Sequence, residues 1–286
     1  MDAARAESGA RPLVDLLRNA RFEVLPLEGI EDEVLAHLGT DVKVTVTASP
    51  SKGLDATFGL TESLIGAGYT VEPHLSARLV RDRAHLDEIL GRLLSMGVRE
   101  LFVLAGDAEE AGEFPGAVDL LAAMGDARSR FDSIGITGYP ESHHLISDEE
   151  TIQAMFAKAP MATHIVSQVC FDAQVIADWV RAVRARGTVL PIWIGLPGEV
   201  DRARLLRVSM KMGLGESTRF LRHNRGWLAR LFARRFTPDD LARELAPFAA
   251  EPANRVAGFH FFTFNEVART ERWRRGTLER LGYGGP

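Results

Sequence analysis

The chain holds one cysteine, Cys170, among its 286 residues. A lone thiol excludes an internal disulfide framework and fits a reducing compartment. No stretch approaches the ~18 consecutive apolar residues of a membrane-spanning helix. The N-terminal "MDAARAESGARP" mixes acids and bases and lacks the apolar stretch of a signal peptide, so a cytoplasmic protein is expected. A net charge of −5, with 26% charged residues, offers no basic excess for a nucleic-acid partner. Three motifs are missing as well. There is no G-x-G-x-x-G after the first strand-like run, no G-x-S-x-G elbow and no P-loop lysine. These absences argue against a dinucleotide-binding open sheet, a serine hydrolase and an NTPase.

What the chain does contain is a repeated alternation. Eight short runs rich in Val, Ile, Phe and Thr recur at 21–26, 42–48, 69–75, 100–106, 133–140, 164–171, 190–197 and 256–264. Helical patterns lie between them. Leu86, Ile89, Leu90, Leu93 and Leu94 follow helical spacing, and Gly97 marks the stop. Val175, Ile176, Trp179, Val180 and Val183 form a second apolar face, ended by Gly187. Strands separated by single helices imply right-handed crossovers and a parallel sheet. Eight such units in a chain of this length predict an α/β fold, a closed (β/α)8 TIM barrel. Residues 1–286 read as one barrel domain, and the long segment 199–250 predicts extra helices between the seventh and eighth strands.

In such a barrel, chemistry sits at the carboxyl ends of the strands. Reading those ends yields Glu23, Thr45, Thr47, Glu72, His74, Asp107, Tyr139, Glu141, His143, Gln168, Asp172, His260 and Asn265. The expectation is a polar mouth above an apolar barrel. Glu23 is the most suggestive of these, a carboxylate between Phe22 and Val24 in an otherwise apolar strand. Burial would raise its pKa and suit it to donate a proton; the alternative is a structural carboxylate bonded to backbone. Asp107 is either functional or a loop and capping residue. "GYPESHH" gathers Glu141, His143 and His144, but its spacing matches no metal motif, and no metal site is predicted. Cys170, inside a strand, reads as a small buried hydrophobe rather than a nucleophile. Between 202 and 235, ten Arg or Lys residues face one acid, Glu216. That run reads as a solvated helix face, with an anionic ligand tail as the alternative.

Taken in order, the strand ends resemble the methylenetetrahydrofolate reductase family. "FEVLP" is similar to the family's F-E-F/V-x-P, and "VTVTASPSKG" to V-T-Y/W-G-A-x-x-G. "EPHLS" and "VLAGD" resemble P-H-L-T/S and A/V-L-R/Q-G-D. "GYPESH" matches Y-P-E-x-H, "SQVCFD" matches T-Q-x-x-F/Y-D/N, and "GFHFFTFN" matches G-x-H-F/L-Y-T/S-x-N. The set is colinear from residue 22 to 265. The resemblance implies a (β/α)8 barrel that interconverts 5,10-methylenetetrahydrofolate and 5-methyltetrahydrofolate, usually with NADH or NADPH feeding electrons through bound FAD. It implies that Glu23 is the general acid and that Asp107 binds or tunes the pterin. Gln168, Thr47 and Phe262 are placed at the tetrahydrofolate substrate, Thr47 also matching a flavin-lining position. His74, Tyr139, His143 and Lys158 are placed at the cofactor.

The departures fall mainly on flavin contacts. Ala105 stands where the family often has Arg, and Gly116 stands near a usual tyrosine. "AKAPMATH" replaces K-x-D-A-G-A and leaves Lys158 as its remnant. "GEVDRARLL" lacks the family's Asn-Phe-x-Gln, and Phe262 replaces a tyrosine. Three readings stay open: a reductase with weakened or absent flavin and direct hydride transfer from NAD(P)H, a conventional FAD enzyme, and a folate-binding protein without turnover.

Overall fold

The computed structural model describes residues 11–140, 148–200 and 238–283. Eight parallel strands close into a barrel in sequence order, β1 hydrogen-bonded to both β2 and β8. They are β1 (Arg21–Val24), β2 (Lys43–Val46), β3 (Val71–Ser76), β4 (Glu100–Leu104), β5 (Ser133–Gly138), β6 (His164–Ser167), β7 (Ile192–Pro197) and β8 (Val256–Phe262). Each overlaps one of the eight runs expected from the sequence. Residues 11–18 are helical and form α1. The helices that follow are α2 (Ile30–His37), α3 (Gly53–Gly66), α4 (Arg83–Ser95), α5 (Ala117–Met124), α6 (Asp148–Lys158), α7 (Ala173–Ala185), α8 (Pro238–Ala249) and α9 (Val267–Arg280). Of the extra helices expected between β7 and β8, α8 is present; residues 201–237, with the arginine run, lie outside the described residues.

Local chemistry sets the helix ends. Asp82 caps α4 by accepting a hydrogen bond from His85 N at 2.8 Å, and Asp172 caps α7 by accepting from Gln174 N and Val175 N. Gly97 and Gly187, at φ of 85° and 94°, turn the chain out of those helices in the left-handed conformation that glycine adopts freely.

Alternation along the strands sends apolar side chains outward to the helices. Phe22 meets Phe261 edge-on at 5.7 Å, and Phe261 meets Trp273 of α9 at 5.5 Å. The inward positions differ from expectation: the barrel beneath the mouth is charged, not apolar. Arg21 and Glu72 pair at 2.9 Å with side chains 4% and 0% exposed, and Lys43 pairs with Glu100. The Arg21 guanidinium also lies 3.7 Å over the Trp193 ring. Outward neighbours such as Val44 and Leu75 made these strands read as apolar, while every second residue carried the charge.

His164 completes this lower layer. Its Nε2 stands between the guanidinium and the carboxylate, 2.6 Å from Arg21 Nη1 and 3.2 Å from Glu72 Oε1. Ser133 Oγ and Thr163 Oγ1 each lie 3.1 Å from its Nδ1. Burial lowers the His164 pKa, opposed by the charge of the Glu72 carboxylate. Burial alone would raise the Glu72 carboxyl, but His164 and the Arg21 guanidinium beside it hold it well below the usual carboxylate range.

Removing one partner of a buried ion pair strands the other charge, so Glu72→Ala is expected to cost about 3–5 kcal/mol in urea unfolding. The Arg21→Met/Glu72→Leu double variant should recover much of that loss. Equal midpoints for wild type and Glu72→Ala would show that the pair does not hold the barrel.

Candidate active site

One carboxylate lies at the centre of the barrel's carboxyl end. Glu23, the third residue of β1, points inward, in register with Thr45 of β2 and Phe262 of β8. Its Oε2 lies 3.2 Å from His260 Nε2 and 3.7 Å from His74 Nε2. The Glu23 side chain keeps 14% exposure; those of His74 and His260 keep 8% and 2%. Glu23 therefore faces two imidazoles, not the apolar surroundings expected from its strand neighbours. The acid retains a narrow opening to solvent.

The backbone around Glu23 is tied across the seam between β1 and β8. Thr263 Oγ1 donates to the Glu23 carbonyl at 2.6 Å. Two residues on, Asn265 grips Leu25 twice: its Oδ1 accepts from Leu25 N at 2.8 Å and its Nδ2 donates to Leu25 O at 3.0 Å. To reach that grip the chain adopts left-handed backbone at Phe264 and Asn265, with φ of 49° and 63°. Asparagine tolerates that region, whereas a phenylalanine there is strained, a cost borne where the site is built.

His74 packs against the Phe102 ring at 4.8 Å. Burial lowers its pKa, opposed by the charge of Glu23, so the ring is held neutral in the folded chain. His260 meets Phe262 edge-on at 5.0 Å. Several buried polar atoms here have no hydrogen-bond partner among the described residues: His74 Nε2, His260 Nδ1, Thr45 Oγ1, Thr47 Oγ1 and Glu72 Oε1.

A second group forms on β4 and β5. Lys158, buried at the end of α6, donates to Thr137 Oγ1 at 2.9 Å, and burial pushes its amine down to about 8. Thr137 also bonds Tyr139, whose phenol pKa is raised by burial and further by the charge of Asp107. Asp107 is exposed, just beyond β4. The preceding Gly106 has φ of 85°, and a Cβ there would collide with Ser76 Oγ. Only glycine fits that turn.

Of the residues expected from the sequence, the structure brings Glu23, His74 and Phe262 together around His260. Thr47 is buried one step along β2, its N–H donating to Val24 O at 3.0 Å. Lys158, Tyr139 and Asp107 form the second group. Gln168 is exposed at the end of β6, its Oε1 accepting from Val169 N. His143, Glu141 and His144 lie outside the described residues. Among the described residues, no cluster of three or more His, Cys, Asp or Glu side chains could hold a metal ion, and no helix is long and apolar enough to cross a membrane. His260 was legible as a polar strand-end residue, but without its contact to Glu23; Thr263 as a clamp on β1 carried no signal in its own run.

A closed parallel barrel with one carboxyl group between two imidazoles at its carboxyl end defines a (β/α)8 protein. The family model described as methylenetetrahydrofolate reductase matches residues 34–199, more than half of the chain. The chain belongs to the methylenetetrahydrofolate reductase family. It is similar to methylenetetrahydrofolate reductase 1 of Schizosaccharomyces pombe, 31% identical over 120 residues. That alignment spans 39% of this chain and 20% of the yeast protein, so the match covers about a fifth of the relative's length. Two solved structures from Burkholderia cenocepacia J2315 resemble it in shape. One, provisionally described as a lyase/mutase, has TM-score 0.49 and 16% identity over 97% of this chain and 88% of its own. The other, provisionally described as a phosphonomutase, has TM-score 0.50 and 12% identity over 97% and 98%. Only the second bears on this chain, and only on its fold.

The neutral state of His74 and His164 gives a signed pH dependence. Both folded pKa values lie below the ordinary 6.5, so the unfolded chain binds more protons in that range and stability is lost as pH falls below 6.5. Glu72, also depressed, adds a further loss as pH falls below its ordinary 4.5. Urea midpoints measured from pH 8 to 4 should fall in that order, and His74→Gln should shrink the first step. A flat profile between pH 7.5 and 5.5 would contradict the buried neutral imidazoles.

Proposed function

We propose that this chain interconverts 5,10-methylenetetrahydrofolate and 5-methyltetrahydrofolate, with NADH or NADPH as hydride partner and Glu23 as the general acid. The observation that carries the reading is the Glu23 carboxyl, partly open to solvent, with His260 in hydrogen-bond contact behind it. Family membership supplies the substrate class.

The chemistry follows from substrate and product. The methylene carbon bridges two nitrogens in one and is a methyl group on a single nitrogen in the other. One carbon–nitrogen bond must therefore break, and the departing nitrogen needs a proton. Glu23 gives its carboxyl proton to that nitrogen, the bond breaks, and an electrophilic iminium carbon remains. Hydride from the nicotinamide adds to that carbon and forms the methyl group. One proton and one hydride enter per reductive turnover, and the oxidative direction reverses each step. The protein's part is to hold the donor in place and to keep water from the iminium. Gln168 and Asp107 are assigned to the pterin, Thr47 and Phe262 to the wall beside Glu23.

Flavin fits less well. Of the residues expected at such a cofactor and described, His74 is turned onto Glu23 and Phe102, Lys158 onto Thr137, and Tyr139 onto Thr137. These side chains are engaged by the protein's own groups rather than set around a flavin. This supports direct transfer from the nicotinamide to the substrate.

Glu23→Gln keeps size and hydrogen bonding but removes the acid, and turnover should fall about 10²-fold or more, equivalent to about 2.7 kcal/mol of barrel-held transition-state stabilisation. An unchanged rate would remove Glu23 from the chemistry. The visible spectrum of the purified protein should lack a flavin band, and NADH oxidation should depend on methylenetetrahydrofolate and ignore added FAD. A stoichiometric flavin band would restore a two-step hydride relay.

A further inference from the structure

We propose that His260 reloads Glu23 with a proton from inside the barrel after each reductive turnover. This rests on the reading of Glu23 as the acid. Reduction consumes one proton per cycle, so the carboxylate left behind must be reprotonated before the next. Substrate seated on Glu23 covers its open side, and the remaining contacts come from the barrel.

Those contacts single out one group. Facing Glu23 from its own strand is Arg21, committed to Glu72 and His164. From β2 come Thr45 and Thr47, which do not titrate, and deeper down Lys43, paired with Glu100. From β3 come Glu72, paired with Arg21, and His74, whose Nε2 at 3.7 Å is beyond hydrogen-bond reach. From β8 comes His260, with Nε2 at 3.2 Å from Glu23 Oε2. His260 alone both touches the carboxyl and has a second ring nitrogen through which a proton can be passed.

The other face of the ring is equally telling. His260 Nδ1 is buried and has no partner among the described residues, in a barrel that also holds the unpartnered Thr45 Oγ1, Thr47 Oγ1 and His74 Nε2. An imidazole clamped at both nitrogens by fixed chain atoms serves as a brace. One clamped at Nε2 alone passes protons, receiving at Nδ1 and delivering from Nε2, and clustered polar atoms of this kind suit ordered water as the supplier. In the transfer, the Nε2–H bond of the imidazolium breaks and the Oε2–H bond of Glu23 forms, leaving a neutral ring that regains a proton from solvent. No electrons move. His260 acts through Glu23 and is a positioning residue; Glu23 alone touches the substrate.

The test uses the full chain with rapid mixing. In His260→Ala, Glu23 has time to take a proton from solvent before mixing, so one equivalent of NADH should be consumed at the wild-type rate, followed by steady turnover slowed about 10–100-fold. KM for methylenetetrahydrofolate should stay near wild type, and added imidazole should restore the steady rate. His260→Gln, which still donates to Glu23 but shuttles no proton, should show the same burst and serves if the alanine variant does not fold. Wild-type steady turnover in both variants would overturn the proposal. So would a slowed first turnover without rescue, the mark of a purely structural role. Glu23→Gln separates the two ideas. If it turns over like wild type, the acid reading fails and the relay falls with it. If it is inactive while His260→Gln cycles normally, the relay alone fails.

Discussion

The Arg21–Glu72 pair closes the lower half of the barrel, and the site above it depends on that closure. Two opposite charges 2.9 Å apart, almost wholly removed from water, are costly to bury singly and tolerable only together. Because β1 and β3 each contribute one partner, the pair sets these strands at one depth. It also leaves the next inward positions on the same strands, Glu23 and His74, facing each other one layer higher. His164, whose pKa burial lowers, touches both the guanidinium and the Glu72 carboxylate and extends this network to β6.

Above that layer the chain spends strain and hydrogen bonds on one short stretch of backbone. β1 and β8 meet at the seam where the barrel closes, and Thr263 and Asn265 fasten the end of β1 from the far side of that seam. The left-handed backbone at Phe264 and Asn265 is intelligible only in this light. Glu23 thus has its main chain fixed from β8 and its carboxyl in contact with β8 through His260. For the proton donor proposed above, this combines a backbone fixed in position with a side chain left free to exchange its proton.

The second group, Lys158 with Thr137, Tyr139 and Asp107, shows how a family framework is altered at its margins. Lys158 sits buried on a threonine, and burial lowers its pKa. His74 is likewise drawn inward to the acid. Two residues that the family resemblance places at a cofactor, His74 and Lys158, thus contact the protein's own groups.

The eight strands, the order of the helices and the central place of Glu23 were legible in the linear sequence, because each rests on local rules. Period-two alternation marks strands, 3.6-residue spacing marks α4 and α7, and glycine marks their ends. The charged interior was misjudged as apolar although Arg21, Lys43, Glu72 and Glu100 were in plain view, since alternation says that two faces differ but not which partners meet across a closed barrel. The same limit hid the imidazole pair around Glu23 and the grip of Asn265 on Leu25, contacts between residues some 50 to 240 positions apart. By itself, then, the sequence determined the barrel and nominated its acid, both consequences of short-range pattern. Only the tertiary structure decided what surrounds that acid, because closing β8 onto β1 brings the two ends of the chain into one register, and nothing local encodes that meeting.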